Sequence, residues 1–233
     1  MPPNITTLGF DADDTLWHDA HDFRLTEDRF VSLLTDYTDR LPLEEHLLAA
    51  QRRNGLHYGH GVRGFTLSMI ETAIEVTSGK VPADVIAEIL EAGRDMLSRP
   101  VAPLPHVEET LKTLRGAYRL VLITEGDLFD QQRKVTASGL DAWFDAVEIV
   151  AEKSVPTYRT LFSRHGSGPA EAMMIGNSLK SDILPALEAG AFGAHVPYHA
   201  TWTRDEAAEP QGADRFHRID HIGKVPQLLA RLG

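Results

Sequence analysis

The sequence predicts an α/β protein: a parallel sheet with helices on both faces, interrupted after its first strand by an all-helical segment. Three observations carry this. Short apolar runs alternate with helix-period stretches from residue 101 onward, the pattern of a sheet built from strand–helix–strand units. One further apolar run, 5–10, stands alone ahead of residues 18–99, which show helical periodicity and no convincing strand. Pro100, Pro103 and Pro105 separate the two patterns, as prolines do at connections between domains.

The run 5–10 ends in Asp11, Asp13 and Asp14. Aspartate disfavours strand interiors, so the strand should stop near Phe10. While the chain stays extended, Asp11 and Asp13 point to the same side. Carboxylates that close repel each other unless a cation neutralises them or one holds a proton. Such a pair suits a chemical site at a strand's carboxyl end, where open α/β sheets bind ligands. Taken alone, the spacing fits an acidic surface turn equally well.

In the helical segment, Phe23, Phe30, Leu33, Leu34 and Tyr37 recur at helical spacing. Pro42 opens a second helix over 43–54, a position that suits proline. Residues 55–64 read as a glycine-rich loop, followed by helices over 66–77 and 82–98. Beyond the prolines, helices are expected over 106–116, 128–138, 155–165, 179–189 and 225–231, and strands over 118–123, 146–150, 172–175 and 192–196. Gly139 and Gly190 supply helix stops. The expected division is an α/β unit of residues 1–17 and 101–233, with a helical unit of 18–100.

Composition narrows the partners. A net charge of −11 argues against nucleic acid or an anionic membrane. The absence of cysteine excludes disulfides, thiolate catalysis and zinc–thiolate sites. No basic region precedes an apolar core at the N-terminus, and no apolar run reaches membrane-spanning length. These features predict a soluble cytoplasmic protein, monomeric or homodimeric.

In a parallel sheet every strand delivers its following loop to the same edge, so those loops hold the remaining candidates. After 118–123 come Thr124-Glu-Gly-Asp127. A threonine hydroxyl and free backbone N–H groups can bind phosphate oxygens, and a glycine lets the backbone approach. After 146–150 comes Lys153, able to neutralise phosphate or carboxylate. After 172–175 come Gly176-Asn-Ser-Leu-Lys-Ser-Asp182. Asn177 and Asp182 there offer the oxygens magnesium prefers, and Asn and Ser also serve as helix caps. Each stretch alone fits an ordinary polar turn.

Together, Asp11-Ala-Asp13-Asp-Thr15, Thr124, Lys153 and Gly176-Asn-Ser-Leu-Lys-Ser-Asp182 resemble the four ordered motifs of the haloacid dehalogenase-like (HAD) hydrolase superfamily. The resemblance spans essentially the whole chain. It implies a Rossmann-like catalytic core, with residues 18–100 as a helical cap domain. It also implies a magnesium-dependent phosphatase acting on a small phosphorylated metabolite through an aspartyl-phosphate. By the same resemblance Asp11 is the nucleophile, and Asp13 starts protonated, protonates the leaving oxygen and then deprotonates water. Thr124, with Glu125 and Gly126 beside it, holds phosphate, and Lys153 balances charge. Asp11, the backbone carbonyl of Asp13, Asn177 and Asp182 hold magnesium, with either Asn177 or Asp182 as the direct ligand from the fourth motif. Tyr58, His60 and Arg63, in the break between cap helices, face the substrate.

The chain departs from the family pattern at Asn177, where aspartate is common, and at Glu125, where asparagine is common. It departs again after Lys153, where Ser-Val-Pro replaces an immediate proline. A carboxylate beside phosphate is repelled, so Glu125 should point away or contact the cap.

Dehalogenation is disfavoured, because similar dehalogenases lack an acid at the place of Asp13. Phosphonate hydrolysis is disfavoured because Lys80, the one lysine of residues 18–100, sits in a surface turn. A phosphomutase and a non-catalytic binding protein on the same fold are the alternatives. His57, His195, His199 and Trp202 read as surface-loop residues, the strand 192–196 as peripheral, and Trp17 and His18 as hinge residues near the substrate.

Overall fold

The computed structural model describes residues 4–59, 61–198 and 207–233. The chain divides into two compact units, residues 1–20 with 101–233, and residues 21–100.

The first unit is built on β1 (Thr7–Phe10), which is buried along its whole length. It is joined by β2 (Arg119–Glu125), β3 (Ala146–Val150), β4 (Ala172–Gly176), β5 (Phe192–His195) and β6 (Phe216–Arg218). The sheet runs in the order β3-β2-β1-β4-β5-β6, with every neighbouring pair parallel. Phe10 lies level with Leu122 of β2 and Ile175 of β4. The N–H of Asp11 extends the ladder by one bond, to the Ile175 carbonyl at 2.9 Å. The acids therefore begin where the ladder stops, in the middle of the sheet's carboxyl edge.

Alternation along β2 shows why the sheet reads as continuous apolar runs. Leu120 and Leu122 pack into a core with Leu8, Phe10 and Trp17, covered by α5 (Val107–Leu114) and α9 (Val225–Leu232). Val121 and Ile123 pack into a second core with Tyr158 and Phe162 of α7 (Val155–His165) and Ala186 of α8 (Leu184–Ala189). A strand buried on both faces has no polar side to show. The remaining helix of this unit, α6 (Leu128–Ser138), follows β2 directly, capped by Asp127 accepting from the Asp130 N–H and stopped by Gly139.

The segments leading out of and into this unit are tied together. Trp17 bridges to both Asp13 and Pro103, and the Leu104 N–H donates to the Leu16 carbonyl at 2.8 Å.

The second unit holds α2 (Arg40–Tyr58), α3 (Val62–Val76), α4 (Ala83–Ser98) and all but the first residue of α1 (Ala20–Leu34). Phe23, Phe30, Leu34, Leu43, Leu47, Phe65, Met69 and Ile89 are buried in it. Arg99, just past α4, donates to the Asp22 carboxylate at 2.8 Å and pins the two ends of the unit to each other. Lys80 is exposed, as expected. No described helix is long and apolar enough to cross a membrane.

Two expectations are corrected. The loop foreseen over 55–64 is largely helical, because α2 continues through Gly55 to Tyr58 and α3 starts at Val62. Glycine at 64 is a packing requirement, since a Cβ there would lie 2.2 Å from the Gly59 carbonyl oxygen. The strand 192–196 was expected at the periphery, yet β5 is flanked by β4 and β6. β6 has only three residues, two of them charged or histidine, too few to show a period of two.

Candidate active site

At the carboxyl edge, Asp11 emerges from β1, Lys153 from the loop after β3, and Asp182 from a π-helical turn, Leu179–Ile183, that opens α8. Lys153 Nζ donates to Asp11 Oδ1 and, at 2.6 Å, to Asp182 Oδ1. All three are buried, Asp182 completely. Gly176 makes this approach possible, because a Cβ there would lie 2.3 Å from Asp182 Oδ2. That oxygen accepts the Ser178 N–H at 2.9 Å, so both Asp182 oxygens are engaged.

The other face of Asp11 meets Thr15 and Asn177. The Thr15 hydroxyl lies 2.9 Å from Asp11 Oδ2 and 3.1 Å from Asn177 Oδ1, and accepts the Asn177 N–H at 3.0 Å. One hydroxyl proton can serve only one of those two oxygens. The other approach is oxygen against oxygen, which a cation would relieve. The donors around this point are all hard oxygens. Among the described residues no three acidic or imidazole side chains gather as a metal site. A cation here would therefore rest on carboxylate, amide and carbonyl oxygens with water, a set that magnesium accepts.

Asp13 turns elsewhere. Its Oδ1 accepts from Trp17 Nε1 and Lys134 Nζ, and its Oδ2 from Gln131 Nε2 and Lys134 Nζ, all at 2.7 Å. Lys134 also donates to Asp19 at 2.8 Å. With its carboxylate committed there, Asp13 has its backbone carbonyl to offer a cation beside Asp11.

The two aspartates are held in opposite senses. Burial, reinforced by Asp182 nearby, pushes Asp11 up to about 7 despite Lys153. Burial also opposes ionisation of Asp13, but the Lys134 ammonium and the hydrogen bonds from Lys134, Gln131 and Trp17 bring it below the usual carboxylate range. With no cation on Asp11, burial thus favours the protonated form of Asp11, while the donors around Asp13 favour its carboxylate. Chief among the donors to Asp13 is Lys134, a partner the sequence did not reveal.

At the end of β2, the Thr124 hydroxyl is buried and has no hydrogen-bond partner among the described residues. Glu125, whose side chain was expected to avoid phosphate, accepts the Lys153 backbone N–H at 2.9 Å and so fixes the start of the lysine loop. The Gly126 N–H reaches the Val150 carbonyl at 3.4 Å.

Asp11, Lys153, Asn177 and Asp182 thus form one connected cluster, and Asp13 a second. Tyr58 closes α2 and Arg63 lies in the first turn of α3, both exposed on the helical unit. His60, His199 and Trp202 lie outside the described residues. His195 is corrected: it is buried, and its Nε2 bonds the Asn177 carbonyl at 3.0 Å. Trp17 is also corrected, from a hinge residue near substrate to a fully buried core residue that donates to Asp13. His18 pairs with the Tyr198 hydroxyl.

Sequence reasoning assigned no role to Thr15, Lys134, Gln131 or Tyr158. Tyr158 is buried, and its hydroxyl holds the Ser181 carbonyl at 2.9 Å inside the π-helical turn. The spacing of Gln131 and Lys134, three apart on a helix, puts them on one face, but nothing in it points that face at Asp13.

A family model described as haloacid dehalogenase-like hydrolase matches residues 5–190. A haloacid dehalogenase-like family hydrolase from Xanthomonas campestris superposes with a TM-score of 0.88 at 36% identity, covering 99% of this chain and 96% of that one. Glyceraldehyde 3-phosphate phosphatase of Methanothermobacter thermautotrophicus is 30% identical over 133 residues, 54% of this chain and 58% of its own. Human N-acylneuraminate-9-phosphatase is 34% identical over 89 residues, 36% of each chain. The matched stretches thus span about half or less of these two phosphatases. Family match, near-complete superposition and the order of side chains along the sheet edge agree: the chain belongs to the haloacid dehalogenase-like hydrolases.

Proposed function

We propose that the protein is a magnesium-dependent phosphoric monoester hydrolase acting on a small phosphorylated metabolite, with Asp11 as nucleophile. The observation that carries this is the Thr124 hydroxyl, buried without a partner among the described residues, at the sheet edge that also presents Asp11 and Lys153. Leaving a buried hydroxyl unsatisfied costs about 1–3 kcal/mol, which a phosphate oxygen would remove. The similarity to two phosphatases of small phosphorylated compounds supports the same reading.

In the first half-reaction an Asp11 oxygen attacks phosphorus and the ester oxygen leaves with a proton from Asp13, giving an aspartyl-phosphate. In the second, water attacks phosphorus, its proton passes to Asp13, and Asp11 is released with inorganic phosphate. Phosphoryl transfer depends on positioning and charge stabilisation more than on elaborate covalent chemistry. Thr124 would position a phosphate oxygen, and Lys153 would offset charge beside Asp11. Burial favours the protonated form of Asp13 that donation requires, while Lys134, Gln131 and Trp17 favour the carboxylate that accepts the water proton in the second step.

Magnesium, when bound, supplies positive charge that opposes the repulsion between phosphate and Asp11. Asp11, the Asp13 carbonyl and Asn177 would hold it directly. Asp182, with one oxygen on Lys153 and the other on Ser178 N–H, would act chiefly by carrying Lys153.

The test is phosphate release from a panel of phosphorylated metabolites with magnesium, then with excess chelator. Turnover on at least one ester is expected, lost in chelator and restored by magnesium. Folded protein that hydrolyses no ester, or an undiminished rate in chelator, counts against the reading.

A further inference from the structure

We propose that Lys134 is a positioning residue for Asp13, holding the carboxylate that Asp13 becomes after giving up its proton and aiming it for the water of the second half-reaction; this rests on the phosphatase reading above. The geometry is that of an acceptor with no proton of its own. Both Asp13 oxygens receive N–H donors, from Lys134 on both sides, Gln131 on one and Trp17 on the other. Charge-assisted bonds of this kind are short and directional. The Lys134 side chain is only 7% exposed, while that of Asp13 keeps 22%, so the base is held from behind and stays open at its edge.

Lys134 is itself oriented. Asp19 accepts from its Nζ at 2.8 Å, and Asp14 accepts the Asp19 N–H at 2.9 Å. The arrangement is a chain of base, cation and second carboxylate in which each member fixes the next. An oriented base is what general catalysis by a side chain needs. Gln131, one turn before Lys134 on α6, also donates to the Glu125 carbonyl at 3.0 Å, tying the Asp13 side of the site to the end of β2 that carries Thr124.

The balance of the second step is simple. The bond between water oxygen and phosphorus forms, that between phosphorus and the Asp11 oxygen breaks, and one water proton moves to Asp13. Lys134 keeps its own protons and changes only where the accepting carboxylate sits.

4-Nitrophenyl phosphate separates the steps, because its aryl oxide leaves without needing a proton. Lys134→Met should lower kcat about 10- to 100-fold, with the first turnover within about twofold of wild type. The result is a burst approaching one nitrophenolate per site. The Ki for inorganic phosphate should stay within about twofold, and Lys134→Arg should restore part of the rate. Asp19→Asn, which keeps Lys134 on Asp13, should give the same burst with a smaller loss and serves if Lys134→Met fails to fold. Steady turnover unchanged in these variants, or burst and turnover falling in parallel as from general damage, would overturn the assignment. A wild type that hydrolyses neither 4-nitrophenyl phosphate nor any ester of the panel overturns the phosphatase reading and this one with it. An active wild type with unaltered Lys134 and Asp19 variants overturns this one alone.

Discussion

Two buried lysines each touch two aspartates and favour their charged forms, yet Asp11 and Asp13 end in opposite senses. Lys153 lies between Asp11 and Asp182, with side-chain exposures of 3%, 7% and 0%. Lys134 lies between Asp13 and Asp19, with exposures of 7%, 22% and 19%. Around Lys153 two carboxylates share one cation out of reach of water, and Asp11 is pushed up to about 7. Around Lys134 the carboxylates keep a wet edge, and Gln131 and Trp17 add donors to Asp13, which falls below its ordinary range, while Asp19, without those added donors, is pushed up to about 6 by burial and by Asp13. A lysine neighbour therefore does not decide a carboxylate's state. Burial and the number of donors per oxygen decide it. The dry cluster is short of one positive charge, which is the property a cation site needs.

The largest effect expected from breaking this contrast is at Asp11. Asp11→Asn removes the nucleophile and should lower turnover by about four orders of magnitude or more. It also removes one of two crowded carboxylates, so the melting temperature should not fall. Phosphate release within tenfold of wild type would sink the assignment of Asp11.

Lys153→Met comes next. It leaves Asp11 and Asp182 buried without a cation, and breaking a buried pair in this way costs about 3–5 kcal/mol. In chelator the melting temperature should drop by about 10 °C, and excess magnesium should restore part of it. Turnover should fall about 10²- to 10³-fold even with magnesium. Lys134→Met should gain no more stability from magnesium than wild type does, because the Asp13 and Asp19 carboxylates lie off the oxygens around Asn177. Equal rescue of both variants would erase the distinction between the two clusters.

The sequence exposed one of these clusters and hid the other. Asp11, Thr124, Lys153 and Asp182 each follow an apolar run, so a strand period and a parallel sheet were enough to gather them at one edge. Lys134 lies within a helix whose buried face is partly polar. Leu128 and Phe129 are 59% and 70% exposed, while Gln131 and Lys134 are buried. A rule that places apolar residues inside and charges outside finds Val135 but misses Gln131 and Lys134, because Asp13 gives these polar side chains an interior partner. Helices 128–138 and 155–165 were legible to the residue, since Asp127 and Ser154 cap their first turns and side-chain caps leave a sequence trace. β6 was not legible, because its three residues become a strand only by pairing with β5.

The smallest expected effect tests the wet side through Asp14, the third acid after the first strand. Asp14 is buried at φ 61°, and its Oδ1 accepts the N–H groups of Asp19 and Ala20 at 2.9 and 3.1 Å. Burial first, with Asp19 and Asp13 adding repulsion against those hydrogen bonds, pushes it up to about 7. A carboxyl whose folded value lies above its unfolded one contributes stability at low pH and loses it as pH rises through the folded value. Asp14 therefore stabilises the fold below about pH 4 and progressively ceases to between there and pH 7 or above. Asparagine adopts the left-handed conformation readily, keeps the Oδ1 acceptor and carries no charge. The melting temperature of Asp14→Asn relative to wild type should rise with pH, from no gain near pH 4 to a gain of a few degrees at pH 9. A difference that stays flat across that range would show that Asp14 is ionised at little cost, and that the Lys134 cluster shields its neighbours more widely than the four hydrogen bonds to Asp13 require.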